Sequence, residues 1–146
     1  MGLLQPADQE KLRQALAEMT RKVRLLFFTQ TIDCDTCLAT REILDELPPL
    51  SDKVSLEEVN FVLEGEKARQ YGIDRVPAIA LLYEDNGSLA DSRIRFLGAP
   101  SGYEFVSLVE AVMLAGGRTS NLSDRSRQRI AAVDKPITMQ VFTTPT

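Results

Sequence analysis

The chain has 146 residues, 44% of them hydrophobic, which is enough to bury one core without help from a metal or a disulfide. Its formal charge of -4 and pI near 4.9 argue against nucleic acid as a partner, because phosphate binding needs a concentrated Lys and Arg surface. The uncharged run Leu25–Ile32 is too short to cross a bilayer. Because the first residues also lack a signal-peptide pattern, we expect a cytoplasmic protein with no membrane partner.

The predicted elements of the first half alternate between helices and strands. In chain order they are a helix over Gln5–Met19, a strand over Val23–Thr29, a helix that follows the cysteines and ends before Pro48-Pro49, a strand over Val54–Val62, and a helix over Leu63–Tyr71 closed by Gly72. This order forms a strand-helix-strand unit, whose two strands should be parallel. It also places Cys34 at the N-terminus of the second helix.

The second half predicts an antiparallel hairpin followed by helices. In chain order the elements are strands over Ala78–Tyr83 and Ile94–Leu97 joined through Asn86-Gly87, a helix over Gly102–Ala115 that ends at Gly116-Gly117, a helix over Asn121–Val133 capped by Ser123, and a strand over Ile137–Phe142. The combination predicts an α/β fold of thioredoxin-like class, with a four-stranded mixed sheet flanked by helices and an extra N-terminal helix.

Two cysteines spaced as Cys-x-x-Cys, and the absence of histidine, are the most informative features of the composition. A structural zinc site needs four ligands, usually Cys or His, so this chain alone could not form one. Because no motif of a flavin or nicotinamide site is visible either, we expect neither a metal nor another cofactor. A purely structural disulfide between Cys34 and Cys37 would contribute only about 2 kcal/mol by the chain-entropy estimate. In a cytosolic chain with its own core, redox work is the better explanation of the pair.

Disulfide exchange needs one thiolate to attack and a second thiol to resolve the mixed disulfide. The helix dipole should favour the thiolate of Cys34, so we predict that Cys34 attacks and that Cys37, placed further into the helix, resolves. Asp33, Asp35 and Thr36 are predicted to tune the pKa of the Cys34 thiol. Each carboxylate about 4 Å from a thiolate would cost about 1 kcal/mol in water-like surroundings, which favours a mild pKa depression and a reducing pair.

Three segments carry the pattern of a known family: Phe28-Thr29-Gln30-Thr31 before the cysteines, Tyr71 to Ala78 ahead of the third strand, and Phe96-Leu97-Gly98 followed by Gly102 to Phe105. With them, nearly the whole chain resembles the tandem glutaredoxin-like protein disulfide oxidoreductases of bacteria and archaea. The chain departs from the better known thioredoxins in having Phe28 where those proteins bury a carboxylate.

The resemblance implies two thioredoxin-fold units in one protein, each usually with its own Cys-x-x-Cys. We therefore expect a first unit over residues 1–119, a linker helix over 120–136, and the first strand of a truncated second unit over 137–146. The segment Val141-Phe142-Thr143-Thr144 echoes Phe27-Phe28-Thr29-Gln30, which agrees with this division.

The resemblance also implies a cis proline at Pro77 that faces the cysteine pair and leaves the backbone of Val76 free to bind an extended substrate. Arg75, beside it, could offset Asp33 and Asp35 or hold a substrate carboxylate, although a solvated arginine is an equal alternative. The predicted substrate-binding residues are therefore Arg75, Val76 and Pro77.

The predicted function is that of a protein disulfide oxidoreductase, which exchanges its dithiol or disulfide with the disulfides of protein substrates. Its electrons should come from a small thiol or from a flavoprotein similar to thioredoxin reductase. The alternative is a weakly active or non-catalytic thioredoxin-fold module that docks clients or a second redox unit.

Overall fold

A four-stranded mixed sheet forms the centre of the computed structural model, which describes residues 2–144. Its strands are β1 (Val23–Thr29), β2 (Val54–Asn60), β3 (Ala78–Asp85) and β4 (Ser88–Leu97). They lie in the order β2-β1-β3-β4, with β2 parallel to β1, β3 antiparallel to β1 and β4 antiparallel to β3. The parallel pair and the hairpin were both predicted, and the thioredoxin-like class is confirmed.

Five helices accompany the sheet over the described residues. They are α1 (Pro6–Ala17), α2 (Cys37–Leu44), α3 (Gly65–Gln70), α4 (Tyr103–Ala115) and α5 (Asp124–Ala131), with a short 3-10 turn at Pro48–Leu50. None of these helices combines the length and the apolar character needed to cross a bilayer, as far as residues 2–144 are concerned.

The central strand β1 is buried on both faces, which explains its nearly continuous apolar sequence. Leu25 and Phe27 pack into a core with residues of α1, α2 and α4, whereas Leu26 and Phe28 pack into a second core with Ala68 of α3. Phe28 is fully buried. The apolar ring of Phe28 therefore fills the interior position at which the sequence analysis noted the lack of a carboxylate.

The structure corrects the position of the cysteines relative to α2. The helix begins at Cys37, with Thr36 as its N-cap, so Cys34 lies in the turn before the helix and Cys37 is its first residue. A cysteine three residues ahead of a periodic pattern can belong to the helix or to the turn, and the pattern alone does not distinguish these cases. The helix also ends at Leu44, earlier than the end just before Pro48-Pro49 that the sequence predicted.

Strand β4 is longer than predicted, since it begins at Ser88 and not at Ile94. Its first half is mostly polar, so the pattern of apolar residues did not predict a strand there. The strand also contains an irregularity opposite Ala80 and Leu82, where Arg93 adopts a positive φ of 66°. Such a bulge breaks the two-residue alternation that identifies strands in a sequence.

The C-terminal segment differs from the main body in its burial. Helix α5 has the predicted cap, since Ser123 Oγ accepts a hydrogen bond from the backbone N–H of Ser126, yet the helix buries no residue. Residues 137–144 are exposed and form no strand, so the predicted strand over Ile137–Phe142 is not present in this structure. The Thr143 hydroxyl is hydrogen-bonded to the carboxylate of Glu104 at the start of α4. The predicted domain division stays a prediction, and residues 145–146 lie outside the described chain.

Candidate active site

The residues that the sequence singled out lie together at one edge of the sheet, the edge formed by the ends of its strands. Because β1 and β2 are parallel and β3 is antiparallel to them, the loops after β1 and β2 and the loop before β3 meet at this edge. The backbone N–H of Phe61 donates to Thr29 O at 2.9 Å, and that of Gly98 donates to Pro77 O at 2.9 Å. These bonds hold the loops beside one another. We call this end of the molecule the cysteine edge.

Cys34 and Cys37 form a disulfide at the cysteine edge. Their Cα atoms lie 5.5 Å apart, within the usual range for a disulfide. The two residues differ in burial, since Cys37 is only 4% exposed whereas Cys34 is half-buried. A thiol or disulfide group that approaches from solvent would therefore reach Cys34 first.

The loop that carries Cys34 is fixed by Gln30, to which the sequence analysis gave no role beyond its place in the Phe28-Thr29-Gln30-Thr31 segment. Gln30 Nε2 donates to Ile32 O at 2.7 Å and to Asp33 O at 3.3 Å, and Asp33 has a positive φ of 58°. Asparagine and aspartate tolerate this backbone region better than most residues. An amide side chain at the end of a strand is too common a feature to have revealed this role.

The start of α2 is held by the carbonyl oxygen of Thr36. This oxygen accepts hydrogen bonds from the backbone N–H of Thr40 at 3.0 Å and from Thr40 Oγ1 at 2.8 Å. Thr40 is fully buried, and the hydrogen bond satisfies its hydroxyl group. Thr36 therefore has a clear structural part at the site, while its predicted effect on a cysteine pKa stays a prediction.

The Val76-Pro77 peptide bond is cis, as the sequence resemblance implied. Pro77 is buried, and half-buried Val76 precedes the first ladder pair between Phe28 and Ala78. The backbone of Val76 therefore lies outside the β1–β3 ladder.

Arg75 forms a two-point ion pair with its neighbour Asp74. Its Nε donates to Asp74 Oδ1 at 2.8 Å and its Nη2 to Asp74 Oδ2 at 3.2 Å. The hydrogen bond from the guanidinium lowers the pKa of Asp74 and raises that of Arg75. Asp33 and Asp35 are exposed, and no ion pair joins either of them to Arg75 within the described residues. A substrate contact by Arg75 would have to compete with Asp74.

The loop before Pro77 is anchored to β4. Arg95 Nε donates to Tyr71 O at 3.2 Å, and the ring of Tyr71 packs against Phe28 with ring centroids 6.4 Å apart. Asp91 binds the same guanidinium, and these hydrogen bonds from Arg95 lower the pKa of the Asp91 carboxyl group. Arg95 lies within the strand predicted over Ile94–Leu97, whereas Asp91 lies in the polar first half of β4 that the sequence analysis did not assign to a strand.

The loop after β2 is held by its own polar side chains. Asn60 Oδ1 accepts hydrogen bonds from the backbone N–H groups of Val62 at 3.0 Å and Leu63 at 2.9 Å, while Glu64 Oε2 accepts one from Asn60 N at 2.8 Å. These bonds leave Val62 and Leu63 with their apolar side chains in solvent.

No group of three or more Cys, Asp or Glu side chains within residues 2–144 is placed to hold a metal ion. The reactive atoms of the described site are the sulfur atoms of Cys34 and Cys37.

A mixed four-stranded sheet with a disulfide-bonded Cys-x-x-Cys at the start of a helix defines the class of thioredoxin-fold thiol-disulfide oxidoreductases. A probable thioredoxin of Methanothermobacter thermautotrophicus is 35% identical over 81 residues, which are 55% of this chain and 85% of the relative. The chain belongs to the thioredoxin family and is a thiol-disulfide oxidoreductase. No family model matches it.

Two solved structures extend the similarity into the C-terminal part of the chain. The NTD_N/C domain of alkyl hydroperoxide reductase AhpF from Enterococcus faecalis is 31% identical, with a TM-score of 0.78 and 90% of this chain covered. This chain spans 62% of that domain, less than two thirds of its length. A protein disulfide oxidoreductase from Aeropyrum pernix has a TM-score of 0.72 at 23% identity, covering 88% of this chain and 54% of its own, which shows the shared fold.

Proposed function

We propose that Cys34 is the attacking thiol and Cys37 the resolving thiol in the reduction of protein disulfides. The observation that carries this assignment is the difference in burial, since Cys37 is almost inaccessible and Cys34 is not. The amide groups at the start of α2 supply a positive potential near both sulfur atoms, so burial decides which sulfur a client meets first.

The cycle balances as two successive exchanges. The Cys34 thiolate attacks one sulfur of the client disulfide, forms a bond to it and releases the other client sulfur as a thiolate. Cys37, as a thiolate, then attacks the Cys34 sulfur, restores the intramolecular disulfide and releases the second client sulfur. Two electrons pass from the pair to the client, and protons from water complete the client thiols.

Client binding is proposed at the loop before β3. The backbone of Val76 lies outside the sheet ladder, and an extended client segment could pair with it as an added strand beside the cysteines. Pro77 ends the loop and is tied to Gly98 through its carbonyl oxygen, so the surface offered to the client is fixed. Arg75 would contribute only after exchanging Asp74 for a client carboxylate.

The electrons that regenerate the dithiol must come from outside the chain. A reductase-linked donor is supported by the similarity to a domain of alkyl hydroperoxide reductase AhpF, and a small thiol is the simpler alternative. We place the cycle in the cytoplasm, because a pair that donates electrons needs a compartment that keeps thiols reduced. The division into a unit over residues 1–119, a linker helix and the start of a second unit is part of the same proposal.

Insulin reduction with dithiothreitol as the electron source tests the proposed function. The unmodified chain should accelerate insulin precipitation over dithiothreitol alone, and Cys34→Ser should abolish the acceleration. Ser51→Ala, a substitution outside the cysteine edge, serves as the matched control and should keep the full rate. A chain that gives no acceleration would favour the alternative of a docking module without activity of its own.

A further inference from the structure

The loops of the cysteine edge carry an excess of negative charge. Residues 30–36, 61–64, 71–77 and 98–102 contain Asp33, Asp35, Glu64 and Asp74 but only Arg75 as a cation. Arg75 is paired with Asp74, so its charge is already offset. The two carboxylates nearest to Cys34 in the sequence, Asp33 and Asp35, are exposed and form no ion pair within the described residues. A client approaching Cys34 therefore meets a negative field.

Apolar side chains lie among these charges. Ile32 is 77% exposed and Leu38 is 70% exposed on either side of the cysteines, and Val62 and Leu63 are 69% and 84% exposed in the neighbouring loop. Hydrogen bonds from Gln30 and to Asn60 fix the loops that present Ile32, Val62 and Leu63. Leu38 lies in the first turn of α2. Because the loops are already ordered, a client loses little binding free energy in arranging this surface.

We propose that the protein selects clients whose disulfide is flanked by Lys or Arg and by an apolar residue. This inference rests on the proposed function and adds the class of substrate to it. The cationic side chains would lie against Asp33 and Asp35, and the apolar residue would cover Leu38 or Leu63. Charge complementarity between partners mainly raises the association rate and discriminates against wrongly charged partners.

The chemistry of exchange is unchanged by this selection. The client disulfide receives two electrons from the Cys34 and Cys37 dithiol, the client leaves as two thiols, and the protein leaves as its disulfide. What differs between clients is the rate at which the Cys34 thiolate encounters a client sulfur. The same carboxylates that attract a basic client repel an acidic one, so the ratio of the two rates is the sensitive quantity.

Three disulfide peptides test the inference, identical except that Lys, Gln or Glu flanks the cysteines beside a constant Leu. The prereduced chain is mixed with each peptide and the second-order rate of reduction is measured. At low salt the Lys peptide should react about five- to tenfold faster than the Glu peptide. The ratio should fall toward one in about 1 M salt, where the Debye length is about 3 Å.

A double variant, Asp33→Asn with Asp35→Asn, should reduce the Lys to Glu ratio to about twofold or less. The matched control is Asp52→Asn with Asp85→Asn, which removes the same net charge at the opposite end of the sheet and should leave the ratio unchanged. Rates are normalised to the Gln peptide, because the variant can also alter the reactivity of the Cys34 thiol.

The outcomes separate the inference from the proposed function. Equal rates for all three peptides, or an equal loss of the ratio in both double variants, would overturn the selection of basic clients while leaving disulfide reduction intact. Failure to reduce any of the peptides would overturn both. A ratio lost only in the variant at the cysteine edge supports the inference.

Discussion

Arg95 Nε donates a hydrogen bond to the carbonyl oxygen of Tyr71 over 3.2 Å, which joins strand β4 to the loop that leads to Pro77. Asp91 fixes the same guanidinium through bonds of 2.9 and 2.6 Å. An ion pair in β4 thus supports the loop at which a client is proposed to bind, although neither charged residue was predicted to belong to the site.

Replacing Asp91 by Asn should lower the free energy of unfolding near neutral pH by about 0.5–1 kcal/mol, since the pair is partly exposed. The pKa of Asp91 is lowered in the folded protein, so its contribution is present above the unfolded pKa and is lost as the pH falls through the folded value. Urea unfolding at neutral and acidic pH measures the difference between variant and parent, which should shrink in acid. Asp85→Asn is the control, and a pH-independent difference would contradict the assignment.

Two glycine substitutions should change stability in opposite directions. A Cβ atom at Gly116 would lie 2.6 Å from Met19 Sδ and 2.8 Å from Met19 Cγ, and Met19 is buried in the core. Gly116→Ala should therefore destabilise the fold by about 1–3 kcal/mol. At Gly65, the first residue of α3, the nearest atom is Arg69 Nη1 at 3.5 Å, an ordinary contact. Gly65→Ala should stabilise by up to about 1 kcal/mol. Thermal unfolding of the two variants measures both changes in stability. Equal changes would contradict a steric conflict between Met19 and a Cβ atom at position 116.

The sequence was sufficient to predict the order of the helices and strands up to α5, the four-stranded mixed sheet and the pairing of Cys34 with Cys37, because these depend on apolar periodicity and on a two-residue spacing between cysteines. It was not sufficient for the first half of β4, since Asp91 and Arg93 form part of a bulged polar edge strand. The supporting role of Gln30 also escaped prediction, because a side chain that binds backbone carbonyls leaves no spacing pattern. The strand expected at Ile137 had no partner in the sheet of the described residues.

The expected domain boundary can be tested by truncation. Helix α5 buries no residue, and residues 132–144 are exposed, whereas Arg118 still contacts Glu110 and Met113 of α4. A chain that ends after Ser120 should keep its unfolding free energy within about 0.5 kcal/mol of the parent. Chemical unfolding of both chains measures this. A loss of several kcal/mol would show that the linker helix belongs to the first unit.

The exposed apolar residues after β2 should contribute to client affinity and not to the chemistry. Leu63→Ser removes most of an 84% exposed side chain without disturbing the backbone bond to Asn60. The KM for a protein disulfide should rise about two- to fivefold with little change in kcat, as expected for a group that contributes equally to ground-state and transition-state binding. Leu122→Ser, near the start of the linker helix, is the control and should leave both constants unchanged. A fall in kcat alone would contradict a docking role.

The order of attack at the cysteine pair is the most direct test of the proposed mechanism. When the reduced protein receives a limiting amount of iodoacetamide near neutral pH, Cys34 should be alkylated first, because it is accessible and Cys37 is almost fully buried. Peptide mass spectrometry locates the label.

Cys37→Ser should leave Cys34 able to attack but unable to be released, so mixed disulfides with clients should accumulate on non-reducing gels. Cys34→Ser should abolish both turnover and trapping. The roles are reversed if Cys34→Ser traps clients while Cys37→Ser does not.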